Sequence, residues 1–343
     1  MNIQQLETTA QAMVAPGKGI LAMDESTPTC TQRFHALGIE STLETRHFYR
    51  SLLLTTPGLP KYIAGAILYD ETFRQEVSNG TSFPQYLLAQ GMLPGIKVDM
   101  GAMNLANHPG EKVTEGLDGL RGRLMEYVEL GARFTKWRAV ITIGNVGCTH
   151  PRIPTRGCIE ANAHALARYA ALVQEAGLVP IVEPEVLITG DHTIERCYEV
   201  TLETLKTVFF ELHKQRVHLE GMVLKPSMVI AGLDCPQQAS VEQVAELTVR
   251  CLLNTVPATV AGVAFLSGGQ TDEQATASLN AMNQMGGTRP WPLTFSYARV
   301  LQGQPLQIWR GNPENKIAAQ QALVRRAGLV SAAAEGNYDS GME

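Results

Sequence analysis

Short, strongly apolar runs alternate along this chain with longer segments whose apolar residues recur at helical spacing. Buried parallel strands are apolar on both faces, so these runs predict strands of a sheet that helices cover on both sides. The runs are Gly19–Met23, Tyr62–Tyr69, Leu93–Val98, Phe134–Ile143, Leu178–Leu187, Gly221–Val229, Gly262–Leu266 and Leu293–Tyr297. Eight strand–helix units favour a closed barrel over an open doubly wound sheet, and no G-x-G-x-x-G follows the first run.

Polar residues mark the predicted ends of several helices. A Ser or Thr three positions before a Glu or Gln lets both side chains satisfy free N–H groups at a helix start. Such pairs occur at Ser41/Glu44, Ser240/Gln243 and Thr271/Gln274. Gly177 is expected to end a helix over Ile159–Ala176, and Asn312-Pro313 to open another one.

These patterns together predict a single α/β domain, a (β/α)8 TIM barrel over residues 1–343. Residues 1–16 predict a short N-terminal amphipathic helix that ends before Pro16 and Gly17. Residues 335–343 are polar and contain glycine, and we expect them to form a loose tail. No Pro/Gly/Ser-rich linker divides the chain.

Composition narrows the class of protein. The chain has 343 residues, 45% of them hydrophobic and 18% charged, which is enough for a large core. Its net charge is −5 and its Lys and Arg residues are scattered, so we expect no nucleic-acid partner. No run approaches the ~20 apolar residues of a membrane span. Six widely spaced cysteines without C-x-x-C indicate reduced thiols and a cytoplasmic location.

Charged residues cluster at the carboxyl ends of the predicted strands, where the loops of a barrel form its pocket. They are Asp24-Glu25-Ser26, Lys97 and Asp99, Lys136 and Arg138, Glu183 and Glu185, and Lys225 before Pro226. Strand side chains alternate faces with period two, so both members of each i, i+2 pair point the same way. In a barrel we expect that direction to be inward.

A lone lysine or Glu-x-Glu at a strand end is usually a solvated rim residue or half of a structural ion pair. That explanation fits any one of these sites but fits poorly with five strands that carry charge at the same end. Burying so many charges costs several kcal/mol each unless they pair, and such clusters are commonly kept for chemistry. We therefore interpret the cluster as an active site.

The residue types favour chemistry at a lysine amine. A free lysine has a pKa of about 10.4, so a nucleophilic lysine must be desolvated or lie beside other cations. Lys225 lies in a strongly apolar run, and Lys136 and Arg138 are candidate cationic neighbours. Glu183 and Glu185 can move protons during imine formation.

Asp24 supplies a further general base for the same site. This combination suits cleavage of a carbon–carbon bond beta to a carbonyl, because a protonated imine is itself the electron sink. We therefore predict no metal and no cofactor. The predicted strands contain no histidine, which argues against a metal-dependent enzyme for this cleavage, and His192 is expected to be a loop residue or helix cap.

A phosphate site is predicted at the loops that follow the seventh and eighth strands. Ser267-Gly268-Gly269-Gln270 leads into a capped helix, whose N-terminus favours an anion, and Arg299 closes the eighth strand. A Gly-Gly pair alone more often marks a tight turn, but Arg299 at the adjoining strand end favours phosphate binding. Residues for a second phosphate across the mouth are Ser26, Arg33 and Lys97.

The sequence closely resembles the class I fructose-bisphosphate aldolases from the N-terminal helix to Tyr338. The shared blocks are GKGILAMDEST, GIKVDMG, KWR, VPIVEPE, HLEGMVLKPS, FLSGGQ and FSYAR, all in the family's order. The resemblance implies a metal-independent (β/α)8 barrel, usually a homotetramer, acting on small sugar phosphates. The implied reaction is reversible cleavage of fructose 1,6-bisphosphate to dihydroxyacetone phosphate and glyceraldehyde 3-phosphate.

The resemblance also implies residue roles. Lys225 matches the imine-forming lysine, and Glu183 the principal acid/base, which Glu185 and Lys136 tune. Asp24 matches the base that takes the proton from the C4 hydroxyl. Ser267, Gly268 and Arg299 match positions at the ketose-end phosphate. The other expected substrate or phosphate contacts are Ser26, Thr29, Arg33, Lys97, Arg138, Gly269, Ser296 and Ala298.

This sequence departs from the family pattern in three places. Thr29 replaces a serine and keeps a hydroxyl, and Ala298 replaces a glycine but keeps its backbone N–H. The sequence ends at Glu343, without the terminal tyrosine that assists proton exchange in the animal enzymes. Tyr338 and Glu183 are then the candidates for handling the C1 proton, and Glu183 is the better one.

Two rival functions remain open at this point. The same chemistry could serve sedoheptulose 1,7-bisphosphate, which some family members also make. A non-catalytic sugar-phosphate-binding or scaffolding protein could use the same barrel, but it could dispense with Lys225, Glu183 and Asp24, which are all present.

Overall fold

The computed structural model describes residues 2–77, 80–145 and 152–343. Cys148 and His150 lie outside this part, so the predictions that Cys148 is a reduced thiol and that His150 lies outside the strands are not addressed. Eight parallel strands, numbered in chain order, close into a barrel in which each strand pairs with the next and β8 pairs with β1. They are β1 Gly19–Met23, β2 Ile63–Leu68, β3 Leu93–Lys97, β4 Phe134–Ile141, β5 Val179–Val186, β6 Val223–Leu224, β7 Gly262–Phe265 and β8 Leu293–Tyr297. The predicted TIM barrel is confirmed.

Helices surround the barrel. They are α1 Ile3–Met13, α2 Thr27–His35, α3 Leu43–Leu54, α4 Asp70–Phe73, α5 Phe83–Ala89, α6 Leu120–Glu129, α7 Arg156–Glu175, α8 Ile194–Lys214, α9 Val241–Leu253, α10 Asp272–Gln284, α11 Arg299–Trp309 and α12 Lys316–Ala334. Two short antiparallel pairs lie in loops, Ala102–Asn104 with Lys112–Thr114 and Gly144–Asn145 with Arg152–Ile153. Among the described residues, no helix is long and apolar enough to cross a membrane.

The N-terminal helix α1 closes the bottom of the barrel, at the amino ends of the strands. Its buried Leu6 and Met13 belong to the same apolar cluster as Phe134 and Ile181, whose side chains fill the barrel interior. Residues on the opposite faces of the strands pack against the surrounding helices in a second, larger cluster. The strands are therefore apolar on both faces, as their sequence predicts.

Every second residue of a strand faces the barrel interior, so the interior-facing positions run from this apolar floor to the open end of the barrel. On β1, Ile20 and Ala22 lie in the interior cluster, and Asp24 is the next residue on that face. On β4, Phe134 occupies the floor and Lys136 follows two residues later. The same regular pleat that builds the core therefore directs the charged side chains into the mouth.

Three sequence-based expectations need correction, and the first concerns β6. This strand covers only Val223–Leu224 and not the predicted Gly221–Val229. Gly221 ends a 3₁₀ turn that begins at Leu219, and Pro226 has no N–H to donate to a neighbouring strand.

The second correction moves a helix cap by one residue. Helix α3 is capped by Thr42, which exchanges hydrogen bonds with Thr45, and not by the predicted Ser41/Glu44 pair. The Ser41 hydroxyl instead contacts the hydroxyl of Thr31 at 2.8 Å. The predicted boxes at Ser240/Gln243 and Thr271/Gln274 are both present.

The third correction concerns residues 335–343, which make specific contacts that a loose tail would lack. The Tyr338 side chain is buried, and its hydroxyl donates to Glu343 Oε1 at 2.8 Å. Glu343 also accepts from the buried Arg326, with Nη1 to Oε2 at 2.6 Å. These contacts hold the end of the chain against α12.

Gly95→Ala should destabilise the barrel, because a Cβ at this position would lie 2.2 Å from the ring of the fully buried Phe134. Overpacking of this kind costs about 1–3 kcal/mol. Gly122→Ala in α6 is the control, since a Cβ there meets nothing within 4 Å and alanine should stabilise the helix by about 0.5–1 kcal/mol. Urea unfolding midpoints compare the two variants. Equal stability of Gly95→Ala and wild type would contradict the tight packing at Phe134.

Candidate active site

One cavity of about 970 Å³ opens at the carboxyl ends of the barrel strands. Every residue predicted for the site lines it except Gly269. The predicted residues on the wall are Asp24, Ser26, Thr29, Arg33, Lys97, Lys136, Arg138, Glu183, Glu185, Lys225, Ser267, Gly268, Ser296, Ala298 and Arg299. Their roles remain predictions, but the barrel brings them together.

Lys136 is at the centre of the site and is only 3% exposed. Its Nζ lies 2.8 Å from Asp24 Oδ2, 3.4 Å from Glu183 Oε2 and 3.8 Å from Asp99 Oδ2. Asp24 follows β1, Asp99 follows β3 and Glu183 lies within β5, so one ammonium group joins these three strands to β4. Desolvation of these ions is compensated by pairing within the cluster.

Lys225 follows β6 and is 4% exposed. Its Nζ lies 3.0 Å from Glu183 Oε1, so Glu183 is shared between Lys225 and Lys136. The contact between Lys136 Nζ and Glu183 Oε2 is an ion pair without hydrogen-bond geometry. Glu183 Oε2 therefore has no hydrogen-bond partner among the described residues. A buried carboxylate oxygen without a partner is unusual, and here it faces the cavity. It is available to exchange a proton with a bound molecule.

Electrostatics fix the protonation states of the central pair. Burial by itself would raise the pKa of the Asp24 carboxyl, but Lys136 and Lys225 outweigh it and hold that pKa well below its ordinary value. Burial by itself would lower the pKa of Lys136, but Asp24 and Glu183 hold it above its ordinary value. At neutral pH Asp24 is therefore an anion that can accept a proton, and Lys136 is a cation.

Asp99 belongs to this cluster, although sequence reasoning placed it at a strand end without giving it a site role. Its Oδ1 lies 2.6 Å from Lys97 Nζ, and its Oδ2 accepts the backbone N–H of Arg138 at 3.2 Å. The two-residue spacing from Lys97 could have identified Asp99 as a site residue, because residues 97 and 99 share a strand face.

The loop after β7 and the start of α11 form one end of the cavity. Gly268 and Gly269 have positive φ angles of 62° and 108°, which turn the backbone beside Arg299. A Cβ on Gly269 would lie 3.2 Å from Arg299 Nη2, so this glycine leaves room for the guanidinium. The Ser296 hydroxyl on the same wall is buried and has no hydrogen-bond partner in the described part of the chain. Donors thus converge on a space suited to an anion.

A second group of donors lines the same cavity. Ser26 precedes α2, and its hydroxyl lies 3.2 Å from that of Thr29, with no bond to the helix backbone. Lys97 lines the cavity as well, and the Arg138 guanidinium is hydrogen-bonded to Glu185. Arg33 Nη1 donates to Glu25 Oε1 at 2.5 Å. Two cationic ends separated by a lysine–carboxylate centre suit a ligand that carries an anionic group at both ends.

Glu25 is a residue that the sequence analysis did not assign. It follows Asp24 and also lines the cavity, and its carboxylate pairs with Arg33 and the buried Arg50. Burial would raise the pKa of Glu25, but Arg50 and Arg33 keep it below its ordinary value. The sequence pattern does not identify these partners.

Tyr338 is not among the residues that line the cavity, because its hydroxyl is bonded to Glu343 on the outside of the barrel. His192 precedes Thr193, the N-cap of α8, as expected for a loop or cap residue. Within residues 2–77, 80–145 and 152–343, no three His, Cys, Asp or Glu side chains are grouped so that they could hold a metal ion.

Comparisons with known proteins agree on one family. The family description that matches is fructose-bisphosphate aldolase class-I, over residues 5–343. A probable fructose-bisphosphate aldolase class 1 of Xanthomonas campestris pv. campestris is 60% identical over 98% of this chain and 99% of that protein. Fructose-bisphosphate aldolase 1 of Toxoplasma gondii is 50% identical, over 98% and 92%. The fold matches fructose-bisphosphate aldolase from Plasmodium falciparum, solved with TRAP and a small-molecule inhibitor, with a TM-score of 0.94, 46% identity and coverage of 98% and 96%.

Gly269→Ala should weaken the binding of inorganic phosphate, because its φ of 108° is strained for alanine and the added methyl group contacts Arg299. Displacement of one charge-assisted contact from Arg299 costs about 1.5–3 kcal/mol, which corresponds to roughly tenfold or more in affinity. Calorimetric titration with phosphate measures the change. Gly303→Ala in α11 is the control, since a Cβ there meets nothing within 4 Å. Unchanged phosphate affinity in Gly269→Ala would move the anion site elsewhere.

Proposed function

The chain belongs to the class I fructose-bisphosphate aldolase family, and we propose that Lys225 forms the imine through which it cleaves fructose 1,6-bisphosphate. The chain is an aldehyde-lyase of the class that uses a lysine Schiff base and needs no metal. The observation that carries the assignment of Lys225 is its buried Nζ, 3.0 Å from a carboxylate that a second buried lysine also contacts.

Imine formation begins when neutral Lys225 Nζ attacks the C2 carbonyl carbon of the ketose. Lys225 first passes a proton to Glu183, the carboxylate within reach. The resulting carbinolamine loses its hydroxyl group as water when Glu183 returns a proton to that oxygen. Lys136, held as a cation, stabilises negative charge on the departing oxygen and on Glu183. The product is a protonated imine on Lys225.

Carbon–carbon cleavage follows from Asp24. Its carboxylate takes the proton from the C4 hydroxyl, the C3–C4 bond breaks, and C4 leaves as the aldehyde of glyceraldehyde 3-phosphate. The bonding pair moves into the imine and gives an enamine on Lys225. Protonation of the former C3 carbon and hydrolysis then release dihydroxyacetone phosphate. We assign this proton, at C1 of the product, to Glu183, because Tyr338 is bonded outside the cavity.

The two phosphates are assigned to the two cationic ends. Arg299, Ser267 and the backbone of Gly268 would hold the ketose-end phosphate, and Ser296 and the N–H of Ala298 adjoin them. Ser26, Thr29, Arg33, Lys97 and Arg138 would hold the other phosphate and the sugar hydroxyls. Binding at both ends would hold C2 next to Lys225, and positioning of this kind is a major part of catalysis.

Substrate range, assembly and location are finer proposals. The cavity of about 970 Å³ leaves room for the longer sedoheptulose 1,7-bisphosphate as a second substrate. We propose a homotetramer from the family resemblance, and light scattering would test it. A cytoplasmic location is supported by the cysteines of the described residues, which are free and buried. The catalytic family membership disfavours the purely scaffolding alternative.

Lys225→Met should abolish turnover, because no other amine replaces the nucleophile. With dihydroxyacetone phosphate, borohydride and EDTA, wild type should give a reduced adduct on the peptide that contains Lys225, and the variant should give none. Lys61→Met, at an exposed position, should keep wild-type turnover and adduct yield. An adduct on another lysine, or turnover by Lys225→Met, would contradict the assignment.

Asp24→Asn should form the imine with fructose 1,6-bisphosphate but cleave it slowly, since an amide cannot accept the C4 hydroxyl proton. Loss of a general base lowers the rate of the catalysed step on the order of 10²–10⁴-fold. Rapid-quench single turnovers with borohydride trapping would measure accumulated six-carbon adduct and released aldehyde. Asp234→Asn, at an exposed loop position, is the matched control. Cleavage at the wild-type rate by Asp24→Asn would give the base role to another residue.

A further inference from the structure

Glu25 joins two parts of the cavity that the chain sequence keeps far apart. A single oxygen, Glu25 Oε1, accepts from Arg33 Nη1 at 2.5 Å and from Gln302 Nε2 at 2.8 Å. Arg33 lies at one end of the cavity. Gln302 lies in α11, one helical turn after Arg299, which lies at the other end. Glu25 and Gln302 are called the Glu25–Gln302 bridge below.

Gln302 is only 2% exposed, and its polar atoms are directed at named partners. Its Nε2 donates to Ala22 O at 2.6 Å as well as to Glu25, and its backbone N–H donates to Ala298 O at 2.9 Å. The first turn of α11 is thereby fixed to the end of β1. Because Arg299 begins that turn, its backbone is fixed relative to β1.

The other oxygen of Glu25 is held independently. Glu25 Oε2 accepts from Arg50 Nη1 at 2.5 Å, and Arg50 Nη2 donates to the backbone carbonyl of Glu25 at 3.0 Å. Arg50 is 3% exposed. Arg50 therefore supplies a buried charge partner for Glu25, and the neutral Gln302 adds geometry rather than charge.

We propose that the Glu25–Gln302 bridge is a positioning device that sets the spacing between the two phosphate sites and so favours bisphosphates of one length. This inference rests on the proposed assignment of the two phosphate ends. A ligand with one phosphate needs only one end in place, whereas a bisphosphate needs both at the correct separation. Rigidly held binding groups are more effective than mobile ones, because a misplacement of about 1 Å can lower the reaction rate by about 10²-fold.

The test compares two substrates on one variant. Gln302→Met keeps the approximate length of the side chain and removes both Nε2 contacts. We expect kcat/KM for fructose 1,6-bisphosphate to fall about tenfold, as for the loss of one charge-assisted contact. Fructose 1-phosphate lacks the second phosphate. For this substrate we expect kcat/KM to fall by no more than about threefold, which is less than the loss of one such contact would cause. The ratio of the two values is the readout.

Tyr49→Phe is the matched control. The Tyr49 hydroxyl is buried and donates to Gln302 Oε1 at 3.2 Å, but it has no part in the contacts from Nε2. Its loss should lower stability by about 0.5–1.5 kcal/mol and leave the substrate ratio at the wild-type value. Gln302→Asn is the alternative variant if Gln302→Met does not fold. It keeps the amide but shortens the side chain by one methylene, so we expect the same fall in the ratio of the two kcat/KM values.

Equal losses on both substrates, or no loss on either, would overturn the positioning role, and so would an altered ratio in Tyr49→Phe. A fall in the ratio confined to the Gln302 variants would support it. Borohydride trapping of wild type separates this outcome from failure of the proposed function. A wild-type adduct on Lys225 with an unchanged ratio in the variants rejects only the bridge, whereas no wild-type adduct rejects the Lys225 mechanism itself.

Discussion

The shared contact of Lys136 with Asp24, Glu183 and Asp99 is the interaction on which the rest of the site depends. It places an ammonium group that is only 3% exposed among carboxylates from three other strands. None of these ions could be buried alone without a large desolvation cost. Lys225 completes the cluster through Glu183, so each ion is stabilised only while the others are in place.

The barrel makes this cluster possible because its strands are rigid and regularly pleated. The interior floor is filled by apolar side chains such as Phe134 and Ile181, and α1 seals it from below. The charged layer lies two residues further along the same strand faces. The proposed proton transfers among Lys225, Glu183 and a substrate would therefore occur between groups that the core already positions, which limits the reorganisation each step requires.

The ends of the cavity follow a different physical rule. Arg299 begins a helix and Arg33 lies within α2, so neither is placed by the strand pleat. Their positions depend on contacts outside the barrel interior, in which Glu25 reaches Arg33, Arg50 and Gln302. Glu25 thus supports the proposed phosphate ends, while the neighbouring Asp24 is the proposed base for the cleavage step.

The amino-acid pattern by itself determined the barrel and the central residues of the site. Apolar runs define strands, and period two decides that Lys136, Glu183 and Asp24 face inward, because both rules depend on local backbone geometry. Strand β6 was overpredicted because composition alone does not reveal that Pro226 and the turn at Gly221 limit its pairing. Only the tertiary structure decided that Lys136 is shared by carboxylates of other strands, that Glu25 connects Arg33 to Gln302, and that Tyr338 pairs with Glu343 outside the cavity. Glu25 and Gln302 are separated by 277 positions, and no local rule of periodicity or capping acts over such a separation.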